Sequence, residues 1–394
     1  MLRGLVGTLG LWAAGAVVLR AVAVPPEICP PITAADARGA AAEAAAWIDR
    51  TQRPDGSYLY EYDIEAGREV PGYNVVRHAG VTMSLYQLAA YGDASGMAAA
   101  DRGLAWMQSH LYAHDDWVAL QDPADGSIDL GASALMLAAL DQRRLATGDG
   151  QYDGLMRQLA RFHLEMQQDD GSFLLTWRPD TGAPDPRYRS KYATGEAFWA
   201  LAIMHSLFPG EGWDQPVRSV ARYLSLFRDE VENQKFPPWA DQWAAYGLAE
   251  MRTWPIDDDN ARYARSLAER FGFLVRIDSR RTGGEVSDLL RGPQARGAGL
   301  GTWVEALDSL WLLASADARL APGREKIADR AICSAGLLLE RQVTPQESLE
   351  YREPGIARGA WFTDGITRMD DQQHALSGLI AAVPILLERE ARSR

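Results

Sequence analysis

The sequence predicts an all-α toroid in which six helical hairpins form a ring, an (α/α)6 fold with short β-hairpin insertions. Three observations lead to this fold class. Amphipathic and apolar helices alternate along the chain, each kind occurs six times, and a short turn motif recurs after the amphipathic helices. Hydrophobic residues make up 47% of the 394 residues, which is ordinary for a globular protein with a full core.

The amphipathic helices are recognised by the spacing of their apolar residues. Within 153–167, Leu155, Leu159 and Phe162 follow the i, i+3, i+4 pattern while Arg157 faces elsewhere. Such a helix buries one face and exposes the other. The six predicted stretches are 35–51, 97–110, 153–167, 213–229, 260–277 and 324–342.

The second kind of helix is apolar nearly all round and rich in Ala and Gly, which indicates burial on every side. The six predicted stretches are 79–90, 130–140, 195–204, 240–251, 302–314 and 374–387. Strict alternation predicts an inner ring of enclosed helices inside an outer ring of half-exposed ones. Because one hairpin cannot bury its own apolar surface, each needs its neighbours, as in other repeat folds.

A short motif supports the repeat. The residues at 52–59 read Gln-Arg-Pro-Asp-Gly-Ser-Tyr-Leu, those at 167–174 read Gln-Gln-Asp-Asp-Gly-Ser-Phe-Leu, and Asp-Gly-Ser at 125–127 is a weaker third copy. Asp-Gly predicts a turn, and the alternating aromatic residues after it predict a short β-hairpin.

This motif resembles the repeat of the terpenoid cyclase and prenyltransferase superfamily. The twelve-helix pattern, over residues ~34–390, also resembles six-hairpin glycosidases and the toroids of some polysaccharide lyases and uronyl epimerases. The resemblance implies a toroid and leaves the activity open, because this fold carries many chemistries. The inner helices lack the Asp-x-Asp-Asp acid of class II cyclases, and Cys333 lies on an outer helix, away from any prenyltransferase-like zinc set.

The first residues are typical of a targeting segment. Arg3 precedes an uncharged apolar run at 5–19, and Ala-Val-Ala at 21–23 fits a cleavage site. We expect a signal peptide or a membrane anchor at 1–23, a linker at 24–33 and the toroid at 34–390. An exported protein, periplasmic or extracellular, follows from this interpretation, with attachment to the membrane through the N-terminal segment as the alternative.

Export makes a disulfide between Cys29 and Cys333 chemically feasible. In a closed ring the first and last hairpins are neighbours, so the N-terminal tail can reach the last outer helix. The alternative is two unrelated thiols, which the sequence slightly favours because connectivity cannot be read from it.

The formal net charge of −13 argues against nucleic acid and anionic lipid as partners of the general surface. An acidic polymer would need a local basic patch. We expect no cofactor and no metal, since a Gly-rich phosphate loop is absent and the spacing of His110 and His114 is weak evidence for zinc.

A helical toroid has its functional cleft where the inner helices begin, because their free N–H groups and positive dipole ends point there. The residues at these six positions are unusually polar. We expect catalytic roles for His78, Glu196, Asp241, Asp370, Asp371 and His374. We expect substrate-binding roles for Tyr73, Arg77, Lys191, Tyr192, Trp239, Gln242, Trp303, Glu305 and Arg368.

Paired carboxylates suit glycoside hydrolysis, in which one protonates the leaving oxygen and the other activates water or attacks carbon. Glu196 is the first choice as acid or base, because Thr194 is the better helix cap, and Asp370 or Asp371 would be its partner. The aromatic residues could stack on sugar faces, and Arg77, Lys191 and Arg368 could hold a carboxylate-bearing sugar.

Structural roles compete with each of these assignments. Acidic residues at helix starts are commonly caps, arginines can be buried ion-pair partners, histidines can be satisfied in the core, and aromatic rings are more often core than ligand platform. The sequence therefore predicts an exported enzyme that acts on a polysaccharide or glycan by carboxylate acid–base chemistry, with hydrolysis favoured. The alternatives are a polysaccharide lyase or uronyl epimerase, a non-catalytic scaffold of the cell envelope, and an enzyme acting on a peptide or lipid-linked precursor.

Overall fold

The computed structural model of the chain describes residues 2–22, 25–187, 190–236 and 238–393. Within these residues the α-helices, numbered in chain order, are α1 (Leu2–Val22), α2 (Ala34–Thr51), α3 (Val75–Ala90), α4 (Met97–Gln108), α5 (Leu130–Thr147), α6 (Asp153–Met166), α7 (Ala193–Leu207), α8 (Asp214–Leu226), α9 (Arg228–Val231), α10 (Gln242–Glu250), α11 (Asp258–Asp278), α12 (Glu285–Arg291), α13 (Gly297–Ala316), α14 (Arg324–Arg341), α15 (Pro354–Ala357) and α16 (Met369–Ser393).

Twelve of these helices form the predicted double ring. The inner helices α3, α5, α7, α10, α13 and α16 each pack against the next, and α16 packs against α3, so the ring closes. The outer helices are α2, α4, α6, α8, α11 and α14. In α7 every residue from Ala193 to Met204 is buried, whereas α8 buries one face through Val217, Val220 and Leu224. The predicted (α/α)6 toroid is therefore confirmed.

The β-strands are short and lie in the loops. They are β1 (Glu61–Asp63), β2 (Arg68–Glu69), β3 (Leu111–His114), β4 (Trp117–Leu120), β5 (Ile128–Asp129), β6 (Thr176–Arg178), β7 (Ala183–Pro184) and β8 (Ile366–Arg368). They form two three-stranded sheets, β2-β1-β8 and β5-β6-β7, and the hairpin β3-β4. The hairpins β1-β2 and β6-β7 follow the two full copies of the turn motif, as predicted.

The motif joins each of these hairpins to the next outer helix. Gly56 has a φ of 91°, and a Cβ there would lie 2.4 Å from the carbonyl oxygen of Arg102 in α4. Gly171 has a φ of 87°, and its Cβ would lie 2.3 Å from the carbonyl oxygen of Ser219 in α8. Only glycine combines this backbone conformation with so close an approach. The repeated Gly is therefore a packing requirement of the ring.

The disulfide between Cys29 and Cys333 is present, so the alternative of two unrelated thiols is wrong. Residues 25–33 run along the outside of the ring. The Ile28 N–H donates to the carbonyl of Ser279, and Glu27 pairs with Arg276 at 2.9 Å. The tail is thus attached to α11 and α14, the last two outer helices.

The helix α1 carries the apolar run, and its described side chains are exposed. No helix within the described residues combines the length and the apolar character that a bilayer span requires. Of the expected cleavage site at 21–23, Ala23 lies outside the described residues, and the leader remains a prediction.

Candidate active site

A cleft of about 1000 Å³ opens at the N-terminal ends of the inner helices. All six of these helices contribute residues from their first turns or the residues just before them. The polar and aromatic residues that line the cleft include Asn74, Arg77, Asp129, Lys191, Tyr192, Glu196, Trp239, Gln242, Trp243, Arg296, Trp303, Arg368, Asp370, Gln373 and His374.

Glu196 lies in the first turn of α7 and is only 4% exposed. A Cβ on Gly131 in α5 would lie 2.1 Å from Glu196 Oε2, so this glycine makes room for the carboxyl. No side chain among the described residues forms a hydrogen bond or ion pair with it. Burial raises the pKa of Glu196 to about 8, and the charges of Asp241 and Asp129 add to the shift. The carboxyl therefore keeps its proton at neutral pH.

Asp370 lies at the start of α16 between two guanidinium groups. Its Oδ2 is 3.5 Å from Arg77 Nε, and its Oδ1 is 3.3 Å from Arg368 Nε. Arg77 also donates to the Tyr60 hydroxyl at 2.8 Å. Asp370 is mostly buried and lines the cleft, so it presents a carboxylate whose negative charge is shared by two cations.

Asp371, the neighbouring residue, does not line the cleft. It is 1% exposed, accepts hydrogen bonds from Arg296 Nη2 at 2.6 Å and from the Ala298 N–H at 3.1 Å, and thereby ties α16 to the start of α13. Burial raises the pKa of Asp371, although Arg296 acts in the opposite direction. Of the two consecutive aspartates, Asp370 is the one that faces the cleft.

His374 lines the cleft one turn further along α16. Its Nδ1 lies 3.1 Å from Glu305 Oε2, and Glu305 is fully buried behind it in α13 rather than in the cleft wall. Burial alone would lower the pKa of His374, but the attraction and hydrogen bond of Glu305 outweigh it, so the pKa is raised. His374 therefore lies at the cleft surface, and the buried carboxylate of Glu305 orients its ring.

Three further residues expected at the cleft lie outside it. His78 is fully buried, its Nε2 is 3.0 Å from the carbonyl oxygen of Gly103, and its Nδ1 is 2.7 Å from the Tyr73 hydroxyl. Because a carbonyl only accepts, Nε2 carries the proton and Tyr73 donates to Nδ1. Burial lowers the pKa of His78 to about 3. His78 and Tyr73 are therefore a neutral, satisfied core pair.

Asp241 is the third of these residues. It is fully buried, caps α10 by accepting from the Ala244 N–H at 3.1 Å, and forms an ion pair with Arg228. Arg228 also donates to the carbonyl of Lys191 and so fixes the backbone just before α7. Asp241 thus supports the cleft wall from behind. Arg228 was not predicted as a site residue, because the sequence placed it at the end of the outer helix 213–229, whereas it begins the separate short helix α9.

The aromatic residues of the cleft cluster at the starts of α7 and α10. Tyr192 and Trp239 meet edge to face with ring centroids 5.1 Å apart, and Lys191 Nζ lies 4.2 Å from the Trp239 ring. Tyr192 is 44% exposed, and Gln242 and Trp303 complete this side of the cleft. Aromatic rings beside a few polar side chains are typical of ligand-binding clefts.

Among the lining residues that were not predicted, Arg296 and Phe236 were each missed for a clear physical reason. Arg296 precedes α13, which begins at Gly297, whereas the sequence predicted this helix from residue 302. The Gly-rich first turn hides the helical pattern. Phe236 was missed because it projects from a loop and is 93% exposed, a position that no periodicity marks.

No protein family and no curated protein matches this sequence. Solved structures do match it. They include a GH76 α-mannanase from Bacteroides thetaiotaomicron, with a TM-score of 0.61, 8% identity, and coverage of 90% of this chain and 97% of that one. They also include an inactive α-1,6-mannanase variant from Salegentibacter sp., with two consecutive aspartates replaced by asparagine, in complex with α-1,6-mannotriose (TM-score 0.58, 14% identity, coverage 89% and 99%).

A cellobiose 2-epimerase from Spirochaeta thermophila matches with a TM-score of 0.59 at 13% identity, over 90% of this chain and 98% of that one. Identities this low establish the fold and not the reaction. The chain therefore has the (α/α)6 toroid fold of these structures, which confirms the resemblance to six-hairpin glycosidases predicted from its twelve-helix pattern.

Proposed function

We propose that the chain is an exported enzyme that hydrolyses a polysaccharide or glycan by carboxylate acid–base chemistry. The observation that carries this proposal is Glu196, a buried carboxyl in the cleft wall to which no side chain of the described residues donates a hydrogen bond, and whose pKa is raised to about 8. A carboxyl that keeps its proton at neutral pH is what the protonation of a glycosidic oxygen requires.

Asp370 is the proposed partner of Glu196. Both carboxyls line the same cleft. Burial raises the pKa of the neighbouring Tyr192, and the charges of Asp241, Glu196 and Asp370 add to this shift. Asp370 would activate water or attack the anomeric carbon, while Glu196 protonates the leaving oxygen. The inactive mannanase variant, in which two aspartates are replaced, supports carboxylate chemistry in this fold.

The aromatic cluster supports a sugar as the ligand. Tyr192, Trp239 and Trp303 present rings to the cleft beside the acid, where the faces of successive sugar rings could stack. The size of the cleft, about 1000 Å³, allows several sugar units to bind. The mannotriose complex of the similar mannanase supports this use of the cleft.

The test is turnover by the full chain on a panel of polysaccharides, followed as the release of reducing ends. Glu196→Gln preserves size and hydrogen bonding but removes the proton, and we expect it to lower turnover by about 10²-fold or more. The matched control is Glu165→Gln on the exposed face of α6, which should leave turnover unchanged. Unchanged turnover in Glu196→Gln would contradict the proposal.

A second candidate reaction is proton transfer on the sugar, as in an epimerase or lyase. It is favoured by the His374–Glu305 pair, which places an oriented base at the cleft surface. The two reactions are told apart in D₂O. Deuterium incorporated at a sugar carbon without new chain ends would indicate epimerisation, and new chain ends that carry an unsaturated sugar would indicate a lyase. Either product, if it is lost in His374→Gln, would replace hydrolysis by this candidate.

Export is part of the proposal. The disulfide of Cys29 and Cys333 supports it, because such bridges persist in oxidising compartments. Fractionation of cells that express a C-terminally tagged chain is the test. We expect the tagged chain outside the cytosol with its cysteines oxidised, and a full-length, reduced cytosolic chain would refute export.

A further inference from the structure

The charges around the cleft differ in sign from those of the chain as a whole. Four cationic side chains line it, namely Arg77, Lys191, Arg296 and Arg368, in a chain with a formal net charge of −13. Among the described lining residues the carboxyls are Asp129, Glu196 and Asp370, and Glu196 is protonated at neutral pH. The cleft is therefore a local basic site on an acidic protein.

Not all of these cations are neutralised by the protein. Arg296 is paired with Asp371, and Arg77 is paired with Asp370. Arg368 lies 3.3 Å from Asp370 and 3.9 Å from Asp371, so three guanidinium groups share two carboxylates. The Arg368 guanidinium makes no hydrogen bond within the described residues, and its Nε is buried. Asp129 is hydrogen-bonded to the Thr176 hydroxyl and has no cationic partner among the described residues. In direct contacts, three arginine charges therefore meet only two carboxylates, so one arginine charge is in excess there.

Lys191 is the second uncompensated cation. No carboxylate among the described residues lies within ion-pair distance of it, and its ammonium group rests over the rings of Trp239 and Tyr192 at 4.2 and 5.3 Å. Its backbone is held because its carbonyl accepts a hydrogen bond from the buried Arg228. A positioned ammonium group on an aromatic platform is arranged to meet an anion of the ligand.

We propose that the substrate is an anionic glycan, one whose sugar units carry a carboxylate or a phosphate, and that Lys191 and Arg368 bind this group. The inference rests on the proposed function, since it assumes that the cleft binds a glycan. Charge-assisted hydrogen bonds would fix the sugar, while the acidic remainder of the surface repels anionic polymers and leaves the cleft as their binding site.

The test is isothermal titration of the full chain with matched ligands. Oligomannuronate and oligogalacturonate are compared with the same oligosaccharides after reduction of their carboxyls, and a phosphorylated mannotriose is compared with mannotriose. We expect at least one anionic ligand to bind about tenfold or more tightly than its neutral counterpart. Tighter binding of the uronate oligosaccharides would identify a carboxylate as the bound group, and tighter binding of the phosphorylated mannotriose would identify a phosphate.

Lys191→Gln should weaken binding of the anionic ligand by about tenfold and that of the neutral ligand by less than about twofold. The matched control is Lys235→Gln, which removes the same charge from an exposed lysine near the cleft that pairs with Glu230. Equal effects of the two variants, or equal binding of the anionic and neutral ligands, would overturn the inference and leave the proposed function standing. If no ligand of the panel binds, both fail.

Discussion

The carboxyl of Glu196 is buried at a place where a charge would be costly. Burying an ionised group without a partner costs several kcal/mol in practice, so such a group takes up a proton instead. The neighbouring Asp241 and Asp129 are also acidic, so they raise the pKa of Glu196 further instead of stabilising its charged form. A protein that needed only a stable helix here would place an apolar residue in this turn, which points to a chemical use for the acid.

The raised pKa predicts how stability depends on pH. The carboxyl titrates near 4.5 when unfolded and near 8 when folded. Its contribution to stability is full below the unfolded pKa and is lost as the pH rises through the folded pKa. Wild type should therefore lose stability relative to Glu196→Gln between pH 5 and 9, measured as melting temperatures of both chains. A constant difference across this range would show that the carboxyl is not held protonated.

Some of the predicted site residues line the cleft and others do not. The difference is whether the side chain reaches the cleft surface or is buried in the core. Residues at the inner-helix starts, such as Glu196 and His374, line the cleft as the repeat suggested. His78 and Asp241 stand at equivalent positions in the sequence but point into the core, where Gly103 and Arg228 satisfy them. Sequence pattern gives the position along a helix, while the facing partner decides between cleft and core.

The first turns of the inner helices contain the site residues. For the same reason, the sequence placed the starts of some of these helices too far along the chain. The apolar later turns of these helices were predicted well. However, α3 begins at Val75 rather than at residue 79, and α16 begins at Met369 rather than at residue 374. Polar side chains in these turns interrupt the apolar run that marks an enclosed helix. The turns that contain the candidate site residues are therefore also the turns in which the apolar helical pattern is lost.

Close packing between neighbouring first turns predicts a sensitive glycine. Gly131→Ala would bring a methyl group to 2.1 Å from Glu196 Oε2, so the carboxyl must move. We expect turnover to fall by about tenfold or more, since misplacement of a catalytic group by about 1 Å can cost up to 10²-fold. The measurement is turnover beside melting temperature.

The control is Gly39→Ala on α2, where a Cβ meets nothing within 4 Å. It should leave turnover unchanged and stabilise the chain by about 0.5–1 kcal/mol, because alanine is the better helix former. If Gly131→Ala retained full turnover, the position of Glu196 would not matter to the reaction.

The ring closes between its last and first inner helices, and the N-terminal tail is attached outside this closure. The repeat of six helix pairs was enough to predict the ring, because each hairpin must bury its faces against both neighbours. The sequence left the disulfide open, because ring closure allows the tail to reach the last outer helix but the positions of two cysteines 304 residues apart do not establish a pairing. Only the position of the tail on α14 shows their proximity.

The disulfide should stabilise the whole molecule without affecting the reaction. Replacing both cysteines, Cys29→Ser with Cys333→Ser, removes a bridge that lies on the outer ring, away from the cleft. We expect a loss of about 2–4 kcal/mol in unfolding free energy and unchanged turnover at 25 °C. Reductant should lower the melting temperature of wild type and leave that of the double variant where it is. A large loss of turnover would connect the tail to the site.

The central claim is that the cleft holds a glycan with its scissile bond beside Glu196. The most direct measurement is a crystal structure of Glu196→Gln soaked with the oligosaccharide that binds most tightly. We predict a glycosidic oxygen within about 3 Å of the residue 196 carboxamide, with sugar rings on Tyr192 and Trp239. A ligand bound outside the cleft, or one whose glycosidic oxygens all lie beyond hydrogen-bond reach of residue 196, would contradict the account.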